Sequence, residues 1–196
     1  TVSRVPLTVR DSATPIAAGP PSGAPSAYWG DTLLWTSKAN VHNPMIDAKG
    51  RVWITAAVRP PDNPAFCKEG STHPSAKLFP VNRSGRQLAM YDPKTKKLTH
   101  ISTCFSTHHL MFAEDANNTL WTSGGGPVVG WLDTKKFDET GDEVASQGWT
   151  ALVLDYNGNG KRDEYTEPNQ PADPTKDRRI TTGLYAVSPA PDGSIW

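Results

Sequence analysis

His42-Asn43-Pro44-Met45-Ile46-Asp47-Ala48-Lys49-Gly50-Arg51-Val52-Trp53-Ile54-Thr55 is the stretch on which the fold turns, because the chain says it again. His109-Leu110-Met111-Phe112-Ala113-Glu114-Asp115-Ala116-Asn117-Asn118-Thr119-Leu120-Trp121-Thr122-Ser123 keeps the same order of parts. Tyr185-Ala186-Val187-Ser188-Pro189-Ala190-Pro191-Asp192-Gly193-Ser194-Ile195-Trp196 begins a third copy. Each copy reads as a short apolar strand, an Asp/Asn/Gly turn, and a second strand carrying an aliphatic-Trp pair. Hairpins recurring in fixed order at long spacing predict an all-β chain, a β-propeller in which each hairpin begins a blade.

The copies begin at residues 42, 109 and 185, a pitch longer than the roughly 40–50 residues of ordinary blades. Fewer than three blades fit in 196 residues, against the four to eight of closed propellers. The chain therefore reads as about two and a half blades of a longer protein, with the remainder of the propeller as its nearest partner. Residues 1–39 form a Pro/Ala-rich lead-in ending in an aromatic cluster (Tyr28, Trp29, Trp35). Residues 40–105 form the first blade, with strands at 44–47, 51–58, 87–92 and 97–102. A polar, Pro-rich insertion from Arg59 to Arg86 reads as a surface loop. Residues 106–183 form the second blade, with strands at 110–113, 119–123, 128–133 and 150–155, and residues 184–196 start the third. Asp92-Pro93-Lys94-Thr95-Lys96 supplies a turn in which Asp bonds the backbone two residues on. Gly124-Gly125-Gly126 lacks the Gly-Lys-Ser/Thr of a phosphate loop and reads as a flexible turn or a close backbone approach.

Twenty basic and twenty acidic residues cancel, which gives no reason to propose nucleic acid or an anionic membrane as a partner. No apolar run approaches the ~18 residues of a spanning helix. Eighteen Pro and 16 Gly favour turns and strands over helices. A bridge between Cys67 and Cys104 would tie the insertion to the first blade and imply an oxidising compartment, hence a secreted or periplasmic protein. Two free, half-buried thiols are the alternative.

Two constellations can carry chemistry. Asp155-Tyr156-Asn157-Gly158-Asn159-Gly160-Lys161-Arg162-Asp163 places oxygen side chains at loop positions 1, 3, 5 and 9 and Gly at 6. That is the calcium-loop spacing, with Lys161 offering its carbonyl. Thr166 stands where the bidentate Glu belongs and Glu167 follows one residue late, so the expected Ca²⁺ is weak or structural. An Asn-Gly turn between strands is the other reading. The second constellation is His42 and His109 at one repeat position, at the start of the inner strand, with His108 beside the second. Inner strands line a propeller's channel, so these three are candidate acids, bases or metal ligands; histidines that merely bond strand-end carbonyls are the alternative. Tyr185 replaces histidine in the third copy, and His73 and His100 read as surface. Trp53, Trp121 and Trp196, one per copy, read as packing between blades. No Gly-x-Ser-x-Gly, His-Glu-x-x-His or Cys-x-x-Cys motif occurs, which removes the best-marked hydrolase and zinc readings.

The unit Asp47-Ala48-Lys49-Gly50-Arg51-Val52-Trp53-Ile54-Thr55, followed by Tyr91-Asp92-Pro93-Lys94-Thr95-Lys96-Lys97-Leu98-Thr99, resembles the blades of virginiamycin B (streptogramin) lyase and its relatives. The resemblance covers about residues 40–56, 86–123 and 184–196, and implies a seven-bladed propeller. Nearly the whole chain also resembles the propeller portion of secreted bacterial proteins that carry a carboxypeptidase-regulatory-like domain elsewhere. The calcium-like loop and Ser106-Thr107-His108-His109 are typical of that second group. In the lyases a channel histidine and a Mg²⁺-dependent site open a cyclic depsipeptide ester by elimination. The resemblance thus implies a lyase-like enzyme in which His42 or His109 takes a proton while a divalent ion steadies the developing carboxylate. Two further readings stand beside it: an oxidoreductase whose histidines hold copper, and a non-catalytic binding propeller for a small-molecule or extracellular ligand, pinned by calcium.

Overall fold

The computed structural model describes residues 2–17, 30, 37–124 and 126–196. The cluster of Tyr28, Trp29 and Trp35, and Gly125, lie outside the described residues.

The first copy opens a four-stranded antiparallel meander: β1 (Pro44–Ile46), β2 (Val52–Ala56), β3 (Gln87–Asp92) and β4 (Lys97–Ile101). Its first turn is made by Asp47, whose backbone carbonyl accepts the Gly50 N–H at 2.9 Å, with Gly50 at φ 81°. A left-handed φ is costly for residues bearing a Cβ, and glycine adopts it freely. At the β3–β4 turn, Asp92 Oδ1 accepts the Lys94 N–H at 2.8 Å, as its sequence predicts. The second copy repeats the order as β5 (Leu110–Phe112), β6 (Leu120–Thr122), β7 (Val128–Leu132) and β8 (Gln147–Ala151). Its fourth strand lies earlier than the expected 150–155, because Trp149, not Leu152, is the residue buried opposite Gly130.

Alternation along each strand sends one set of side chains into a core shared by both sheets. Trp53, Leu88, Met90 and Ile101 from the first meet Leu110, Leu120 and Leu132 from the second. Phe137 joins them from helix α2 (Thr134–Thr140), which Asp133 caps by accepting the Lys136 N–H and Gly141 ends. The opposite face of the first sheet, with Ile54, Ala56 and Ala89, is covered by Leu7 of the extended N-terminal segment. That segment is pinned by the Arg10 N–H to the Val58 carbonyl at 2.8 Å, and His100 Nε2 bonds the Thr8 carbonyl.

The insertion is not a surface loop. It carries a 3₁₀ turn (Ala65–Cys67) and helix α1 (Pro74–Leu78), and a disulfide joins Cys67 to Cys104. Cys67, Ala76, Cys104, Phe105, Val128 and Trp149 form a second core. His73, expected at the surface, is structural: its ring stacks on Trp149 at 4.7 Å and its Nδ1 accepts the Ser75 N–H, capping α1. Arg59 locks the insertion's base, donating to Ser102 and Ser84 hydroxyls and to the Thr103 carbonyl.

The expected propeller is not formed. The two meanders are followed by β9 (Val153–Leu154), β10 (Tyr165–Thr166) and β11 (Asp177–Arg179), a three-stranded sheet ordered β10-β11-β9, and none of the three sheets closes or curls into a ring. Val153–Leu154, expected to end the second blade's last strand, leaves it as β9 and pairs antiparallel with β11 (Asp177–Arg179). β10 (Tyr165–Thr166) runs parallel to β11. A parallel pair needs a crossover, which a hairpin-built blade does not contain. The third copy forms a short hairpin, with an isolated bridge between Pro189 and Ile195 and paired Ser188 and Trp196 backbones. The described residues are mostly β, with two short α-helices.

Candidate metal centre

The hairpin registers fix how the copies correspond. Pro44 faces Ile54 in the first, and Leu110 faces Thr122 in the second. His42 donates its backbone N–H to the Thr55 carbonyl at 3.1 Å; the matching bond in the second copy runs from the His108 N–H to the Ser123 carbonyl. Asn43 N–H donates to Thr55 Oγ1, and His109 N–H donates to Ser123 Oγ. His42 therefore corresponds to His108, and His109 stands in the place of Asn43. Counting from histidine to histidine misses this, because the turn at 113–119 is longer than the turn at 47–51.

Thr55 and Ser123, each two residues after the repeat tryptophan, also reach into the following copy. Thr55 Oγ1 donates to the His108 carbonyl at 3.1 Å, and Ser123 Oγ donates to the Tyr185 carbonyl at 2.7 Å. Asn43 Oδ1 accepts the Leu110 N–H across the same seam. These side-chain bonds draw the starts of successive inner strands together, and with them the histidines.

Histidine ligand atoms from His42, His108 and His109 all lie within 4.8 Å of one another. The His42 and His108 rings stack at 4.0 Å, and His109 meets His108 edge-on at 4.4 Å. His42 is exposed, the other two half-buried, so the cluster opens to solvent on one side. Its neighbours displace water from the His42 imidazole, and His108, Arg86 and His109 add repulsion to its cation. Together they lower its pKa. A neutral imidazole is the form that binds a metal. His109 Nδ1 lies 2.8 Å from the Tyr185 carbonyl; an acceptor there requires Nδ1–H and leaves Nε2 as the free lone pair, the usual orienting device behind a histidine ligand. Tyr185 also sets its ring 4.6 Å from that of His109. The donor set is imidazole only. Such donors suit zinc, copper or nickel, whereas Mg²⁺ and Ca²⁺ take oxygen.

The other predicted ligands lie elsewhere. Asp155, Asn157, Asn159, Lys161 and Asp163 share the loop between β9 and β10. There Asp155 accepts the Asn159 and Gly160 N–H groups, and the Asn157 and Asn159 amides donate to Asp163. Glu167 does not join them: its carboxylate is held by Arg179 at 2.6 Å. A cleft of about 580 Å³ beside the insertion is lined by His73 and Trp131, but its histidine is committed to capping and stacking. The chain matches no family model, no curated protein and no solved structure. No described helix is long and apolar enough to cross a membrane.

Proposed function

We propose that the chain is a secreted or periplasmic metal-dependent enzyme whose centre is His42, His108 and His109. The observation that carries this reading is the convergence of three imidazoles from two successive copies to within 4.8 Å. The Cys67–Cys104 disulfide supports the extracytoplasmic setting, since such bonds persist where glutathione does not reduce them. Three histidines with an open side are the donor pattern of catalytic zinc sites. A bound zinc ion would supply a polarised oxygen and a water acidic enough to ionise near neutral pH. His109 is positioned by the Tyr185 carbonyl, His42 and His108 by the strand-start hydrogen bonds, and the solvent-facing side leaves room for a substrate oxygen. Lyase-like or hydrolytic chemistry fits this arrangement, with zinc in place of Mg²⁺. A copper oxidoreductase is the second reading, favoured by the Tyr185 phenol ring beside His109.

Metal analysis on chelator-treated protein reloaded with zinc or copper tests the centre. One equivalent per chain is expected, with affinity in H42A reduced by more than the roughly 10–100-fold that outer-sphere partners control. Metal-dependent turnover across ester and elimination substrates separates an enzyme from a binding protein. Stoichiometry unchanged in an H42A/H108A variant that remains folded sinks the proposal.

A further inference from the structure

The loop from Asp155 to Glu164 joins β9 to β10, and β11 lies between those two strands, antiparallel to one and parallel to the other. Its first residue, Asp177, consequently sits at the base of the loop. Arg178 faces Leu154, which sets Asp177 across from Asp155, and the parallel register sets it beside Tyr165. The carboxylate turns into the loop: Oδ2 accepts the Asp163 N–H at 2.8 Å. Asp177 is 1 % exposed, and its Oδ1 is buried without a hydrogen-bond partner. A buried carboxylate oxygen is costly unless a donor or cation answers it. The nearby cations are engaged elsewhere: Lys176 with Glu164, Arg179 with Glu167, and Arg178 with the Pro168 carbonyl.

We infer that Asp177 is the closing ligand of a calcium site completed by the side chains of Asp155, Asn157, Asn159 and Asp163 and the carbonyl of Lys161. This set supplies hard oxygens, three of them from carboxylates, in the number calcium takes. It fills from a distant strand the role that Thr166 and Glu167 leave open in the loop. The Asn157 and Asn159 amides donate to Asp163 Oδ2 at 2.9 and 2.6 Å while their oxygens accept the Asn159 and Lys161 N–H groups, so the ion would take the place of the two amide donors at Asp163 and bind the amide oxygens as the loop rearranges around it. The occupied site would clamp β9, β10 and β11, strands of two or three residues that have little pairing of their own.

Calorimetric titration of Ca²⁺ into chelator-treated, disulfide-intact protein tests the assignment independently of the histidine centre. Binding at about 10⁻⁴ M or tighter is expected, with a Ca²⁺-dependent rise in Tm. D177N weakens binding at least tenfold while E167Q stays within twofold. If D177N does not fold, D155N, at an exposed position, must show the same loss. A wild-type Tm and titration indifferent to Ca²⁺, D177N or D155N binding like the wild type, or E167Q losing the ion would each overturn it.

Discussion

Asp47 shows how much one carboxylate organises. Its Oδ1 accepts the Lys49 and Arg51 backbone N–H groups, and its Oδ2 accepts Arg51 Nε at 2.7 Å and the Trp53 indole N–H at 2.9 Å. Arg51 then reaches Asp138 on α2, tying the first turn to the helix of the second sheet. Burial works to raise the Asp47 carboxyl, but the Trp53 indole, the Arg51 N–H and the Arg51 guanidinium outweigh it and hold it below the usual carboxylate range. Its stabilising share is complete above the ordinary value near pH 3.9 and is lost as pH falls through the lowered folded value. Denaturant melts of D47A should show a loss of about 3 kcal/mol, since the variant strips Arg51 Nε and the Trp53 indole of their buried acceptor and leaves the guanidinium with Asp138 alone. D47N, which keeps an acceptor for the turn, should lose less, and its acid-unfolding curve should flatten below pH 4. The turn role of this Asp was readable from Asp-x-x-Gly; its bond to the indole was not, because that depends on which face of β2 is buried.

Among the elements, the insertion departs most from expectation. A three-residue 3₁₀ turn and a five-residue helix are too short to print a helical period, so polar, Pro-rich composition reads as loop. What orders residues 59–86 is long-range: the disulfide, the Arg59 hub, and Trp149, whose indole donates to the Phe79 carbonyl at 2.7 Å. The bridge closes 37 residues of sequence, and chain entropy at that length gives about 4 kcal/mol. Reduction under native buffer should therefore lower the unfolding free energy by about that amount, and C67A/C104A should match the reduced protein in a urea melt. The strands were legible because their side chains alternate. Their neighbours were less so: Gly130 lies under Phe105, whose ring a Cβ would meet at 2.2 Å. G130A should cost about 1–3 kcal/mol by overpacking, visible as a lower urea midpoint with an unchanged slope. Gly124 is likewise a close approach, with a Cβ meeting the Ser106 carbonyl at 2.0 Å.

Across the whole molecule, the order of the hairpins was readable while their assembly was not. Hydrophobic alternation specifies a strand's inner face but not how many sheets stand around it, so the ring predicted from three copies gives way to two packed meanders and a mixed sheet. For the histidines, the sequence singled out three residues that the structure brings together but misaligned two of them, because turn length sets the register and the turn residues conceal it. Missed altogether were the Thr55 and Ser123 hydroxyls, whose partners lie in the following copy. Removing one, as in S123A, should cost about 1 kcal/mol and leave the Tyr185 carbonyl held by histidine ring nitrogens alone, with metal affinity falling more than stability does. Titration of zinc against Tm in wild type and S123A checks that split.

The seam between the sheets gives the histidine cluster a mechanical meaning. His42 is anchored to one meander and His108 and His109 to the other, so an ion gripped by all three would act as a rivet at one end of a seam that the two cores, the ion pairs to Asp138 and the Gln147 and Trp149 hydrogen bonds also hold. Neighbouring units coupled at an interface melt together when that coupling is strong and separately when it is weak. The loaded protein should then come apart in a single step, and the stripped protein should first part along its seam, exchanging the Leu110 amide proton, which Asn43 Oδ1 holds across it, ahead of those deep in β3.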